Sequence, residues 1–317
     1  MQKKIPVIID CDPGHDDAIA LIMACCAEKL DIRGVTTVCG NQTVDKTTLN
    51  TLKILSFLGM KKIPVAKGAE KPLLRPLVVA AEVHGESGLG GVILPDADME
   101  LQEDSALELM KRILTESKVP VTMVCTAPLT NMALFIMSCP ELIKNISRIV
   151  LMGGGIAHGN KTAAAEFNIF VDPEAAAVVF NSGIPIVMCP LDMTEKALMT
   201  MSEIKEFSKE QGKICRLASD IFSYYADYYR SEGFDGIALH DPTTVAYLMK
   251  PELFTTRDMY IQIETQGKVT DGMTFADLRT CSDKPAPNVT VCIQADRAAF
   301  IRLVEDCCRS YDTGTLV

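Results

Sequence analysis

The sequence predicts an α/β protein built on an open, mostly parallel sheet with helices on both faces. Three observations predict it. Short β-branched runs alternate with longer runs of helical length. The first of those short runs, Ile5 to Ile9, is apolar throughout, as a strand covered on both faces must be. Polar residues gather just past the ends of the runs, where such sheets bind ligands. The arrangement is Rossmann-like, and 317 residues with 48% hydrophobic content suit a single domain over 1–317.

Taken in order, Ile5 to Ile9 reads as a buried strand and Ala18 to Ala27 as a core helix. Ile32 to Val38 is a second strand and Thr43 to Leu58 an amphipathic helix closed by Gly59, which completes a βαβ start. Ile63 to Ala66 is a short strand. A long irregular segment then runs to about Leu101 and contains HGESGLGG at 84–91; a loop of that length in a compact domain is usually functional or disordered. Ser105 to Glu116 is helical, Val121 to Cys125 a strand, Leu129 to Met137 part of a helix and Arg148 to Met152 a strand that runs into Gly153-Gly154-Gly155.

A flexible passage, 155–170, leads to Asp172-Pro173-Glu174, a helix start with an N-cap and Pro at the first helical position. Ile186 to Met188 is a strand, Ser202 to Arg230 is rich in helix, and His240-Asp241-Pro242 opens a helix through Met249. Met259 to Ile263 and Val289 to Ile293 are late strands, and Asp296 to Tyr311 is the closing helix.

The chemistry concentrates at VIIDCDPGHDD, 7–17, where Asp10, Asp12, Asp16 and Asp17 crowd a strand-to-helix turn around Pro13-Gly14. Asp16 and Asp17 suit helix capping and Asp10 suits a strand end. Four together exceed what capping needs. Like charges this close stay ionised when a hard cation lies among them or helix N-terminal donors face them.

Composition narrows the partners. There are 31 Lys plus Arg against 41 Asp plus Glu, a formal charge of -10, and no basic run compensates, so a nucleic-acid ligand is not expected. The 12 cysteines are scattered without CxxC spacing and read as small reduced core residues. No segment approaches membrane-spanning length, and the N-terminal apolar run meets Asp10 too early for a signal peptide, so a soluble, cytoplasmic protein without a membrane partner is expected.

Beyond the strand ends the crevice would contain Asp10, Asp12, Asn41, Thr126, Met152, Asp192, His240 and Asp241, with Asn160, Glu166, Asn168 and His84 from neighbouring loops. Hard oxygen donors with few imidazoles select calcium or magnesium over zinc, and amides with carboxylates suit sugar hydroxyls. No phosphate-binding glycine loop is present; Gly153 to Gly155 is only a triple glycine. His84 suits an ordinary loop, His240 a helix cap, Asn160 and Asn168 turns, and Tyr224 to Tyr229 helix packing as well as a site.

DCDPGHDDA at 10–18, GNQT at 40–43, HGESGL at 84–89, PLTN at 128–131, LMGG at 151–154, EFNIFVDPEA at 166–175 and HDP at 240–242 together resemble the inosine-uridine preferring nucleoside hydrolase family. The likeness spans nearly the whole chain in order. It implies a ribonucleoside hydrolase that releases ribose and a free base from purine or pyrimidine nucleosides for salvage or catabolism. Asp12 would be a Ca2+ ligand and the base that activates a water on that ion, with Asp17, Asp241 and the Thr126 carbonyl as further ligands. Asp16, Asn41, Glu166 and Asn168 would hold the ribose hydroxyls, Asn160 the 5′ end, and Met152 and Phe167 would line the sugar. His240 would face the leaving base, with His84 and Tyr229 on mobile parts that cover it. Asp10 would support the turn. The resemblance also implies a homodimer or homotetramer.

One departure is Ala127, where glycine is common in the family; the neighbouring ligand is a main-chain oxygen, so the effect is small. Two other readings compete. A strand followed by DxD also opens haloacid-dehalogenase-like phosphatases, but Pro13-Gly14 departs from that pattern and HGESGL and HDP go unexplained. A non-catalytic sugar-binding protein would need no base beside a metal.

Overall fold

The computed structural model describes residues 4–314 and 317. The first strand, β1 (Ile5–Cys11), is followed by α1 (His15–Cys26), β2 (Leu30–Thr37), α2 (Val44–Phe57) and β3 (Val65–Lys67). A long connection with one short helix, α3 (Ala81–His84), leads to α4 (Ala106–Glu116), β4 (Val121–Cys125), α5 (Thr130–Ser138) and β5 (Ile146–Met152). Then come α6 (Phe167–Val171), α7 (Pro173–Phe180), β6 (Ile186–Cys189), α8 (Leu191–Thr194), β7 (Met199–Thr200), α9 (Met201–Phe207), α10 (Lys213–Ser231) and β8 (Gly236–Ile237). The chain ends with α11 (Pro242–Met249), β9 (Phe254–Met259), β10 (Ile261–Ile263), β11 (Thr274–Ala276), β12 (Val289–Ala295) and α12 (Arg297–Thr313).

Eight strands form the central sheet in the order β3-β2-β1-β4-β5-β6-β12-β9. All its pairings are parallel except that of β9 with β12. Strand order reverses between β1 and β4, so the loops after them splay apart and leave a crevice. The period-2 alternation of side chains builds a core on each face. Val7 and Ile9 pack with α1, α2 and α10 to α12, whereas Ile8 packs with α4, α5 and α7.

Local chemistry explains several boundaries. At α4, Ser105 Oγ accepts the Glu108 N–H at 3.3 Å while Glu108 accepts the Ser105 N–H at 2.8 Å, a capping box. Asp172 caps α7 through the Ala175 N–H at 3.0 Å, with Pro173 at the first helical position as the sequence predicts.

Three expectations need correction. The acidic stretch is not all turn: β1 extends through Asp10, α1 begins at His15, and of the four carboxylates only Asp12 lies between the two elements. The passage 155–170 is not irregular to its end, because α6 starts at Phe167, capped by the Glu166 side chain. Met259 to Ile263 is two strands rather than one. At the break the Asn288 amide accepts the Ile261 N–H at 2.8 Å and donates to the Ile261 carbonyl at 3.0 Å, taking the place of a strand neighbour.

Candidate active site

β1 carries Asp10 into the sheet, where Thr36 Oγ1 and Asn131 Nδ2 donate to its Oδ1 at 2.6 and 2.8 Å. Burial pushes its carboxyl up to about 6. Asp10 therefore supports the strand end, in the position expected of it.

Asp12 sits just past β1. The Asn41 N–H donates to its Oδ2 at 2.6 Å, whereas its buried Oδ1 has no hydrogen-bond partner. The approach is so close that a Cβ at Gly40 would lie 2.0 Å from Oδ2, which explains the glycine of GNQT. The first turn of α1 presents Asp16 and Asp17. Asp17 accepts from Gly14 N–H at 3.1 Å, Asn41 Nδ2 at 3.1 Å and Thr126 Oγ1 at 2.7 Å. Asp241, at the start of α11, brings a fourth carboxylate from much later in the chain.

Asp16, Asp17 and Asp241 each offer an oxygen within 4.8 Å of the others, all buried. Burial and the neighbouring aspartates raise Asp12 and Asp241 well above the ordinary carboxylate range, and Asp16 to about 7. The donors that meet Asp12 and Asp17 are neutral, and the charges nearest Asp12 and Asp241 are other aspartates. Thr126 reaches the cluster through its hydroxyl on Asp17, Asp12 adds an idle oxygen, and this all-oxygen donor set fits a hard divalent cation. The sequence groups Asp12, Asp17 and Asp241; the tight trio holds Asp16 in place of Asp12.

Above these carboxylates opens a cavity of about 360 Å³, lined in part by Asp16, Asn41, Thr126, Met152, Glu166 and Asn168. Glu166 accepts from Gly154 N–H at 2.9 Å and Ile169 N–H at 3.2 Å through Oε2, and from Asn168 N–H at 2.8 Å through Oε1. Asn168 Nδ2 donates to the Thr126 and Met152 carbonyls at 3.0 and 3.1 Å. One short helix thus ties the ends of β4 and β5 together. Asn160 accepts the Phe167 N–H at 2.9 Å, and both residues line the cavity wall.

His84, Tyr229 and His240 also line the cavity, and His84 Nδ1 accepts the His15 N–H at 3.2 Å at the start of α1. Both His240 ring nitrogens are engaged: Nδ1 lies 2.8 Å from Thr194 Oγ1 and Nε2 lies 2.8 Å from Tyr229 Oη. Burial lowers His240 to about 4, so the ring is neutral near pH 7. Asp192 does not turn into the crevice as expected. It accepts the Ile156 and Ala157 N–H groups at 2.7 and 3.0 Å, holding the loop after β5.

Phe234, Glu82 and Lys161, which the sequence does not single out, also line the cavity, as do Tyr225 and Tyr228 from the tyrosine group weighed as packing or site. Tyr225 and Tyr229 are four apart on one face of α10, a spacing that could have marked them as a pair. Nor does the sequence single out His15, whose ring lies 5.4 Å from His84 in a stacked arrangement and meets the Gly90 carbonyl at 2.9 Å, anchoring the glycine-rich loop.

The sequence pattern of the inosine-uridine preferring nucleoside hydrolases matches residues 7–302. The chain belongs to that family. It is 48% identical over 304 residues to the pyrimidine-specific ribonucleoside hydrolase RihA of Enterobacter sp. (strain 638), covering 95% of this chain and 97% of that protein. RihA of Citrobacter koseri is also 48% identical, with the same coverage. Among solved structures it is similar to the plant nucleoside hydrolase PpNRh1, with TM-score 0.90 and 30% identity over 96% of this chain and 98% of that one. The purine-preferring ribonucleoside hydrolase from Gardnerella vaginalis gives TM-score 0.89 and 30% identity with the same coverage. This nucleoside hydrolase is thus an enzyme that cleaves N-glycosyl bonds of ribonucleosides, and the phosphatase and non-catalytic readings fall away.

Proposed function

We propose that the chain is a calcium-dependent hydrolase of pyrimidine ribonucleosides such as uridine and cytidine, working in nucleoside salvage or catabolism. The observation that carries the metal reading is the buried aspartate trio beside the idle Asp12 oxygen. The names of the RihA relatives support the pyrimidine preference.

Asp12, Asp17, Asp241 and the Thr126 carbonyl would hold the ion, with Asp16 at the same cluster. When bound, such an ion supplies the positive charge that makes a water acidic enough to lose its proton near neutral pH. Asp12 Oδ1, free of donors, takes that proton, while the Asn41 N–H keeps the carboxylate oriented. As the C–N bond breaks the sugar becomes oxocarbenium-like, and the surrounding carboxylates stabilise its charge.

Asp16, Asn41, Glu166 and Asn168 bind the ribose hydroxyls. A carboxylate oxygen accepts about two hydrogen bonds, so the Glu166 oxygen that takes only the Asn168 N–H retains a lone pair for one. Asn160, Met152 and Phe167 line the sugar, and His84, Tyr229 and His240 surround the base. No helix among the described residues is long and apolar enough to cross a membrane. A cytoplasmic homodimer or homotetramer completes the reading.

The test is ribose release from uridine, cytidine and inosine by enzyme stripped with a chelator and then reloaded. Activity should vanish on stripping and return with about one Ca2+ per chain, uridine and cytidine leading. Zinc, or no metal, in the active enzyme would overturn the calcium assignment.

A further inference from the structure

We propose that the Thr194 hydroxyl is a positioning group: by donating to His240 Nδ1 it sets the direction of a Thr194–His240–Tyr229 chain, so that the Tyr229 hydroxyl hydrogen is turned toward the departing base. The inference rests on the ribonucleoside reading above.

Thr194 is the last residue of α8, is 1% exposed, and does not itself line the cavity. Its Oγ1 lies 2.8 Å from His240 Nδ1, its hydrogen-bond partner among the described residues. A buried hydroxyl hydrogen without an acceptor is strongly disfavoured. Thr194 therefore donates, which requires Nδ1 to be bare and puts the ring hydrogen on Nε2. That Nε2–H points at Tyr229 Oη, 2.8 Å away, and occupies one of its lone pairs. The tyrosine's own hydrogen is then left for the cavity that Tyr229 lines.

The reverse direction fails on two counts. An Nδ1–H donated to Thr194 leaves the threonine hydrogen without an acceptor. It also draws the Tyr229 hydrogen back onto bare Nε2, so only lone pairs would face a base that is gaining electrons as the C–N bond breaks. Donors in series polarise one another, so the chosen direction also strengthens the last donor. Thr194 acts through His240 and touches no substrate.

The experiment compares Thr194→Val and Thr194→Ser on uridine and on p-nitrophenyl riboside, whose leaving group departs as a stable anion without a donor. Thr194→Val should lose about 10²-fold in kcat on uridine, because a wrong tautomer disables a positioned donor, and stay within about twofold on the aryl riboside. Thr194→Ser should restore uridine turnover. Tyr229→Phe should lose at least as much kcat on uridine as Thr194→Val, and adding Thr194→Val to it should cause no further loss. Equal losses on both substrates in Thr194→Val, undiminished uridine turnover in that variant, or additive losses in the double variant would overturn the proposal. Wild-type enzyme inactive on both substrates would instead sink the hydrolase reading beneath it.

Discussion

At the scale of single residues, Asp12 divides its carboxylate between two tasks. Oδ2 is anchored by the Asn41 N–H, and Oδ1 is buried without a donor. A buried acceptor without a donor is costly; Asp10 Oδ2 shares that state within the sheet, whereas Asp12 lies past the strand end with its N–H 3.4 Å from Asp17 Oδ1. Asp12→Asn keeps the shape and the anchored oxygen but cannot take a proton. Ribose release should fall by about 10²-fold or more, while circular dichroism and the thermal midpoint of chelated protein stay at or above wild type, since a buried charge has been removed. Near-normal turnover in a reducing-sugar assay would remove Asp12 from the role of base.

Among the elements, α6 matters out of proportion to its length. Glu166 accepts three backbone N–H groups, and the helix it caps carries Asn168, which ties the Thr126 and Met152 carbonyls together. Glu166→Ala leaves those donors unpaired in the interior, a loss of about 2 kcal/mol or more that a lowered urea midpoint would report. The KM for uridine should rise with it, because both the carboxylate and the placement of Asn168 are lost. An unchanged midpoint would mean that α6 is held by packing alone. This helix was not legible in the sequence because its cap is a glutamate rather than Ser, Thr, Asp or Asn, and only five residues follow. By contrast β4 falls on the predicted Val121 to Cys125, where a buried apolar run ends at a polar threonine and Pro128. The break between β9 and β10 escaped notice for another reason: the Asn288 side chain that makes it lies far along the chain.

Across the whole molecule, the residues that meet in the site come from segments far apart in the chain. β1 and the start of α1 supply Asp12, Asp16 and Asp17, and α11 supplies Asp241. Motif order made these residues visible beforehand, whereas Tyr225, Tyr228 and Phe234 depended on how α10 settles over the crevice, a tertiary outcome no local pattern encodes. The buried carboxylates also link site to stability, since an ion held by Asp12, Asp17 and Asp241 binds the folded chain and not the unfolded one. Chelated protein should therefore melt at a lower temperature than protein in excess Ca2+. The stabilisation is about 2.7 kcal/mol at a hundredfold excess over Kd and grows with the logarithm of calcium concentration. Magnesium, which demands near-octahedral geometry and sheds water reluctantly, should shift the midpoint less. Asp241→Asn should flatten the calcium dependence, because one of the three joining carboxylates is gone. A melting temperature indifferent to calcium in the wild-type chain would show that the carboxylates coexist without an ion, and the donor set would need another explanation.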